Sequence, residues 1–222
     1  MNLKYELQSI ISGVGKNSTG NLIEAAAYHL RKSKEASGDI EKNEFTKDQE
    51  AAWLIEWIDQ TVKWIKSFDE SRFIARGAEQ RVFLDKDTRY VIKLNDSVFY
   101  QYWLDYFHNL LIHNFLFPQT AYELLGFYIE QKVLHAVVKQ PFIEITEPTN
   151  PLLVKEFLVS NGFQVKKNND YYNSEVGVIL EDLHDENVLT NKGALFFIDT
   201  AFYLMPAFLR ILNRKNLVKK EY

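Results

Sequence analysis

The hydrophobic period of the chain changes near Arg72, and this change limits the folds that the chain can adopt. Before Arg72, apolar residues such as Leu54 and Ile58 recur at helical spacing, and residues 1–70 contain no proline. After Arg72, short runs alternate apolar and polar residues and are separated by turn residues, which is typical of antiparallel strands. The sequence therefore predicts an α+β fold in which helices come first and a small sheet with one long helix follows.

The change of hydrophobic period predicts that the chain is divided into three regions. We expect a helical N-terminal extension over residues 1–70, a sheet lobe with one long helix over 71–144, and a reduced lobe with loops and a hairpin over 145–222. We interpret the tryptophan-rich N-terminal helices as a surface for self-association or for a protein partner.

Capping residues predict where individual helices begin and end. The predicted helices are residues 3–11, a helix over 21–36 capped by Asn21, a helix after a Thr46/Gln49 capping box that continues in helical spacing to Ile65, a helix from Asp96 or Ser97 through Phe115, and a short helix bounded by Asn150, Pro151 and Gly162.

Composition excludes several classes of protein. The 222 residues contain no cysteine, so disulfide frameworks, thiol catalysis and cysteine-based zinc sites are excluded. The net charge of −4 gives no overall attraction to nucleic acid or to an anionic membrane, and we expect neither as a partner. One basic cluster lies near the C-terminus, and we interpret it as the last turns of a terminal helix. It consists of Arg210, Arg214, Lys215, Lys219 and Lys220. No signal peptide or membrane span is evident, so we expect a soluble cytoplasmic protein.

A group of polar residues follows two predicted strands in the last third of the chain. Asp182 leaves a strand candidate, Asn187 lies five residues later, and Asp199 follows the hairpin formed by residues 188–198. Because the hairpin returns the chain to its starting point, we expect these three side chains to converge. One carboxylate can then accept the proton of an attacking hydroxyl, while an amide oxygen and a second carboxylate hold Mg²⁺ against phosphates. The alternative is a turn-forming loop in which Asp and Asn only cap backbone groups.

Lys93 lies within the apolar strand candidate Val91-Ile92-Lys93, which follows a turn containing Gly77 and a strand containing Val82. A lysine in an apolar strand needs an anionic partner, and a nucleotide phosphate is one candidate. The alternative is an edge-strand lysine whose ammonium group reaches solvent.

Six short motifs then occur in one order over residues 72–204, and together they resemble a known family. They are Gly77-Ala78-Glu79-Gln80-Arg81-Val82-Phe83, His113-Asn114 through Phe117-Pro118, Gly126-Phe127, Gln140-Pro141-Phe142-Ile143, Gly162-Phe163, and Glu181-Asp182-Leu183-His184-Asp185-Glu186-Asn187-Val188-Leu189. The chain resembles the protein-kinase-like fold, and most closely the kinase domain found in polyvalent proteins of phages and bacterial conjugative elements.

The resemblance implies an ATP- and Mg²⁺-dependent phosphotransferase whose phosphate acceptor is unknown. Residues 71–144 would be the N-lobe and residues 145–222 a reduced C-lobe. It implies the following roles: Lys93 binds the α and β phosphates, Asp182 is the catalytic base, Asn187 and Asp199 are Mg²⁺ ligands, Gly77 and Val82 cover the nucleotide, and Gln140 to Ile143, with Phe142, form the hinge under the adenine.

A second interpretation stays open at this point. No glutamate lies between Lys93 and Glu123 to pair with the lysine, although Asp105 is a shorter substitute. Asp199 is followed by Thr200-Ala201, where protein kinases have Phe-Gly. A catalytically inactive module of kinase-like fold, binding a nucleotide or a protein partner, is therefore the alternative.

Overall fold

The structure is a computed structural model, and it describes residues 2–13, 21–37, 46–61, 64–78, 80–167, 170–184, 186–206 and 208. The chain divides into two compact units. We call Lys16–Leu111 with Ala121–Phe142 the sheet unit, and Met1–Gly15, Ile112–Thr120 and Ile143–Tyr222 the loop unit. The predicted basic cluster at the C-terminus lies outside the described residues.

The N-terminal helices agree with their capping signals. They are α1 (Leu3–Ser12), α2 (Leu22–Ala36) and α3 (Lys47–Thr61). The Asn21 side chain caps α2, and Thr46 and Gln49 exchange the two hydrogen bonds of a capping box, at 2.9 and 3.2 Å. The expectation that helical structure continues to Ile65 is wrong, because Ile65 instead donates its backbone N–H to the carbonyl of Phe127 on a strand.

The sheet unit contains one antiparallel sheet of five strands. These are β1 (Phe73–Arg76), β2 (Gln80–Leu84), β3 (Tyr90–Asn95), β4 (Glu123–Glu130) and β5 (Val133–Pro141), in the order β1-β2-β3-β5-β4. One face packs a core of Phe83, Leu94 and Val137 against Ile65 and Phe68. Burial of these side chains, each worth about 1.5–3 kcal/mol, holds the chain after α3 on the sheet.

The long helix α4 (Trp103–Leu116) begins later than its sequence predicts. A start at Asp96 or Ser97 is wrong because side chains close turns there. Asn95 Oδ1 accepts the N–H of Ser97 at 2.7 Å, and Asp96 Oδ1 accepts the N–H of Val98 at 3.0 Å. Ser97 also has a φ of 57°, in the left-handed region. Such local hydrogen bonds compete with helix formation, which explains the delay.

Among the residues described, the loop unit contains α1, the last turn of α4, one short α-helix and six strands. The helix α5 (Pro151–Ser160) has Asn150 as its N-cap, and Gly162 past its end has a φ of 81°, as predicted. The strands are β6 (Gln164–Val165), β7 (Tyr171–Asn173), β8 (Val178–Glu181), β9 (Val188–Asn191), β10 (Ala194–Phe197) and β11 (Ala201–Leu204). They form a sheet ordered β11-β8-β7-β6 and a β9–β10 hairpin.

Mixed helix and antiparallel sheet confirm the predicted α+β class. No helix within the described ranges has the length and apolar character needed to cross a bilayer.

Candidate functional site

The pairing of β8 with β11 brings two candidate segments to one end of a sheet. Ala201 is opposite Glu181 in this antiparallel pair, so the next residues outward are Thr200 and Asp182. Residues directly opposite in such a pair have Cα atoms roughly 4.5–5.5 Å apart. Asp182 and the segment carrying Asp199 therefore lie at the same sheet end.

The β9–β10 hairpin brings Asn187 to the same place. Phe197 at the end of β10 is opposite Val188 at the start of β9. One step further, the N–H of Ile198 donates to the carbonyl of Asn187 at 3.0 Å. Asn187 is thus fixed beside the residue that precedes Asp199. This backbone pairing brings the Asp199 segment beside Asn187, and the convergence of the three side chains stays a prediction.

Side-chain contacts tie Asn187 to Asp182. The Asn187 Nδ2 group donates to the Asp182 carbonyl at 2.7 Å and to its Oδ2 at 3.2 Å. It also lies 3.1 Å from His184 Nε2. Because these three contacts use the nitrogen, the Oδ1 atom is directed away from them. An amide oxygen held in this way is a suitable ligand for a hard cation.

Asp182 has an unusual backbone conformation. Its φ of 64° lies in the left-handed region, which Asp and Asn tolerate better than other residues with a side chain. Its side chain is 64 % exposed, so the carboxylate is open to a reactant. Strained backbone at an exposed, hydrogen-bonded carboxylate is a feature of functional sites.

His184 takes part in the same loop. Its Nε2 lies 3.3 Å from Asp182 Oδ1, and its backbone N–H donates to the Asp182 carbonyl at 3.2 Å. These contacts make His184 an anchor of the loop. Asp185, between His184 and Glu186, lies outside the described residues.

Residues 146–149, which precede α5, hydrogen-bond to the β9–β10 hairpin. Thr146 donates its N–H to the carbonyl of Thr190 at 3.1 Å, and Thr149 Oγ1 donates to the carbonyl of Val188 at 2.6 Å. At the turn, the N–H of Gly193 donates to Glu147 Oε1 at 2.7 Å. The strand that follows Asn187 is therefore held along its length.

In the sheet unit, the predicted nucleotide-binding residues share one sheet face. Lys93 lies on β3, the central strand, opposite Val82 on β2 and Val138 on β5. Gln140, opposite Val91, projects to the same face because side chains alternate along a strand. Lys93 is only 4 % exposed and Gln140 1 %. The central position rules out the edge-strand alternative for Lys93.

Two further predicted residues lie at the margins of this sheet. Gly77 is in the β1–β2 turn, where its N–H donates to the Gln80 carbonyl at 2.8 Å. Among the residues that the structure describes, a Cβ atom at Gly77 would meet no heavy atom nearer than 3.8 Å, so their packing does not require glycine there. Phe142 follows β5, donates its N–H to the Arg89 carbonyl at 2.8 Å, and is exposed. An exposed ring after a strand end is available to stack on a flat ligand.

Asp105 lies among charged residues of the N-terminal helices. Burial, followed by the nearby Glu50 carboxylate, raises the pKa of Asp105 to about 6, while Lys34 acts in the opposite direction. Lys34 and Glu50 form an ion pair at 2.5 Å, and the Glu50 side chain is fully buried. The expectation that Asp105 substitutes for a helix glutamate beside Lys93 stays a prediction.

Sequence reasoning missed β11 and a group of buried residues around it. His113, Thr120 and Thr200 are 0 %, 1 % and 3 % exposed and hydrogen-bond to one another. The only sequence signal was the His113-Asn114 motif itself, since Thr200 lies 87 residues from His113.

Comparison with known proteins identifies the family. A family model for the serine/threonine/tyrosine kinase found in polyvalent proteins matches residues 47–206. The chain belongs to this family. No curated protein matches the chain. The kinase match begins at Lys47, well before Arg72, where the sequence resemblance began, so α3 lies within the kinase-matched part.

Proposed function

We propose that this kinase-family protein is an ATP- and Mg²⁺-dependent phosphotransferase. The observation that carries the proposal is the shared end of β8, β9 and β11, where Asp182, Asn187 and the Asp199 segment are held together. Membership of the kinase family supports the same reaction class. The proposal keeps the expectation of a cytoplasmic protein of a bacterial mobile element and leaves the acceptor open.

The donor set fits Mg²⁺. Within the described ranges there is no group of three or more His, Asp or Glu side chains that could hold a metal alone. Mg²⁺ does not need one, because it binds through one or two protein oxygens, substrate phosphates and retained waters. Asn187 Oδ1 and the Asp199 carboxylate would hold it, and when bound it would neutralise charge on the phosphates.

In the proposed reaction, an acceptor hydroxyl attacks the γ-phosphorus of ATP. The new bond joins the acceptor oxygen to phosphorus, and the bond from phosphorus to the β–γ bridging oxygen breaks, so that ADP leaves. The exposed Asp182 carboxylate orients the hydroxyl and accepts its proton. Asn187 Nδ2 donates to Asp182 Oδ2 at 3.2 Å, and this hydrogen bond would help to orient the carboxylate.

On the nucleotide side, we assign Lys93 to the α and β phosphates. Its position on the central strand supports this role, because it shares one sheet face with Val82 and Gln140. Gly77 and Val82 are proposed to cover the phosphates and ribose. Gln140 and Phe142 are proposed to border the adenine.

The Asp182→Asn variant tests the proposal. Asparagine keeps the shape and tolerates the left-handed backbone but is a far weaker base, so we expect phosphoryl transfer to fall at least about 100-fold. Transfer from radiolabelled ATP to the protein itself and to added acceptors is the measurement. Glu186→Gln is the matched control, since it amidates an exposed carboxylate of the same loop. We expect near wild-type activity from it.

Nucleotide binding is measured separately by thermal shift with a non-hydrolysable ATP analogue, with and without Mg²⁺. Stabilisation in both wild type and Asp182→Asn is expected. Equal transfer by wild type and Asp182→Asn contradicts the role of Asp182. Stabilisation without product on any acceptor indicates the inactive nucleotide-binding module, and no stabilisation contradicts both readings of the site.

A further inference from the structure

Asp199 lies in a short connection whose neighbours on both sides are held by one distant segment, residues 113–120. This segment contains the last turn of α4 and the turn at Pro118–Thr120. The contacts reach Phe197 before Asp199, and Thr200 and Phe202 after it. All belong to the loop unit.

The hydrogen bonds of this segment define one arrangement of protons. His113 Nε2 lies 3.1 Å from the Thr120 carbonyl, which can only accept, so Nε2 carries the hydrogen. His113 Nδ1, 2.9 Å from Thr200 Oγ1, then accepts the Thr200 hydroxyl hydrogen. Thr120 Oγ1 donates to the Phe197 carbonyl at 2.5 Å. Of the two neutral tautomers of His113, the geometry thus assigns Nε2–H, which gives each of these polar groups a partner.

Aromatic packing reinforces the same contact. The Phe117 ring stacks on Phe197 with centroids 4.2 Å apart and planes 2° apart. His113 and Phe117 both contact the ring of Phe202, with centroids 6.5 and 5.9 Å away. Phe202 lies on β11 and is 1 % exposed. The connection is therefore fixed by packing as well as by directional bonds.

We propose that His113 and Thr120 are positioning residues that fix the Asp199 carboxylate as a metal ligand through Thr200 and Phe197. We call this arrangement the Asp199 clamp: His113, Phe117, Thr120, Phe197 and Thr200. It deepens the proposed function and rests on it. The distance from a metal ligand to its cation can vary by only a few tenths of an ångström. The backbone on both sides of such a ligand must therefore be held in place.

A pair of substitutions at Thr200 isolates the clamp. Thr200→Val keeps the side-chain shape but removes the hydroxyl donor, which leaves a buried His113 nitrogen without its partner. Thr200→Ser keeps the hydroxyl. The measurement is Mn²⁺ binding, followed by electron paramagnetic resonance of the free ion, in the presence of a non-hydrolysable ATP analogue.

We expect Thr200→Val to bind Mn²⁺ about tenfold more weakly and Thr200→Ser to bind within about twofold of wild type. Hydrogen exchange of residues 197–204 should be faster in Thr200→Val than in Thr200→Ser. Wild-type binding that Thr200→Val leaves unchanged overturns the clamp alone. No Mn²⁺ binding by wild type overturns the clamp and the metal site of the proposed function together.

The hydrogen position on His113 can also be measured in the wild-type protein, so this test does not require any variant to fold. Long-range ¹H–¹⁵N correlation spectra distinguish the two tautomers and the charged form of a histidine. For His113 we expect the neutral Nε2–H tautomer. The Nδ1–H tautomer or a charged ring at neutral pH contradicts the hydrogen-bond arrangement on which the clamp depends.

Discussion

Asp105 is a carboxyl group whose burial makes ionisation unfavourable. Burial and the neighbouring Glu50 carboxylate raise its pKa from 3.8 to about 6 in the folded protein. Between these values the unfolded chain has lost the proton and the folded chain still holds it. Asp105 therefore adds stability that is fully present below about pH 4 and is lost as the pH rises through 6.

Asp105→Asn should reveal this dependence. Because asparagine does not ionise, the free energy of unfolding of the variant, relative to wild type, should rise by up to about 3 kcal/mol between pH 4 and pH 7. Urea unfolding at a series of pH values is the measurement. Asp48→Asn, an exposed position on α3, controls for the loss of one negative charge. A difference between Asp105→Asn and wild type that is equal at pH 4 and pH 7 contradicts the assignment.

At the scale of elements, prediction worked where the information was local. The α2 and α3 caps and the α5 boundaries depend on side chains within three residues of the helix end, such as Asn21 and Asn150. The β9–β10 hairpin and the exit of Asp182 from β8 are also local patterns.

Prediction failed where distant contacts decided the structure. The strand β11 forms because it pairs with β8, and the sequence of residues 201–204 does not indicate that partner. The start of α4 was placed too early because the turns closed by Asn95 and Asp96 cannot be told from helix caps by residue type alone. The Asp199 clamp joins residues that no spacing rule connects.

Glu50 links three helices, and its removal tests that link. Its Oε1 pairs with Lys34 of α2, and its Oε2 accepts the N–H of Leu104 at the start of α4, at 3.0 Å. Glu50→Ala should lower the free energy of unfolding by about 3 kcal/mol, because the partly buried Lys34 cation and a backbone donor lose a fully buried partner. Chemical denaturation is the measurement.

Glu35→Ala is the matched control, since it removes an acid from the exposed Lys32–Glu35 pair. An exposed pair contributes at most about 1 kcal/mol. Equal effects of Glu50→Ala and Glu35→Ala would contradict the structural role of Glu50.

At the scale of the whole molecule, the kinase-matched residues 47–206 exclude two helices that pack as core. In the sheet unit, α2 contributes Ile23, Ala26, Ala27 and Leu30, each at most 1 % exposed. In the loop unit, α1 contributes Leu7 and Ile11, likewise buried. In the sheet unit, α2 packs on α3 and β4 and completes the core, while α1 of the loop unit also buries apolar side chains.

A truncated chain of residues 47–222, which lacks α1 and α2 but keeps the buried Phe208, should accordingly be unstable. Each large apolar side chain removed from the core is worth about 1.5–3 kcal/mol, so we expect a loss of several kcal/mol and a broad thermal transition. Melting curves and the soluble yield of the truncated and full-length chains are the measurements. A cooperative transition of the truncated chain at the full-length temperature would contradict a core role. It would favour the interpretation of these helices as an assembly surface, which light scattering of the full-length chain then tests.

The Asp199 clamp also has a consequence for the order of folding. Asp182, Asn187 and Asp199 are joined by a hairpin and by hydrogen bonds between residues five apart, and such local structure forms within microseconds. His113 and Thr200 are 87 residues apart, so their contact requires closure of a long loop, with its entropic cost. We therefore expect the hairpin to form first and the clamp to close late. A chain emerging from the ribosome would bring Asp182 and Asn187 together before the clamp fixes Asp199, so metal binding would be among the last properties that it acquires.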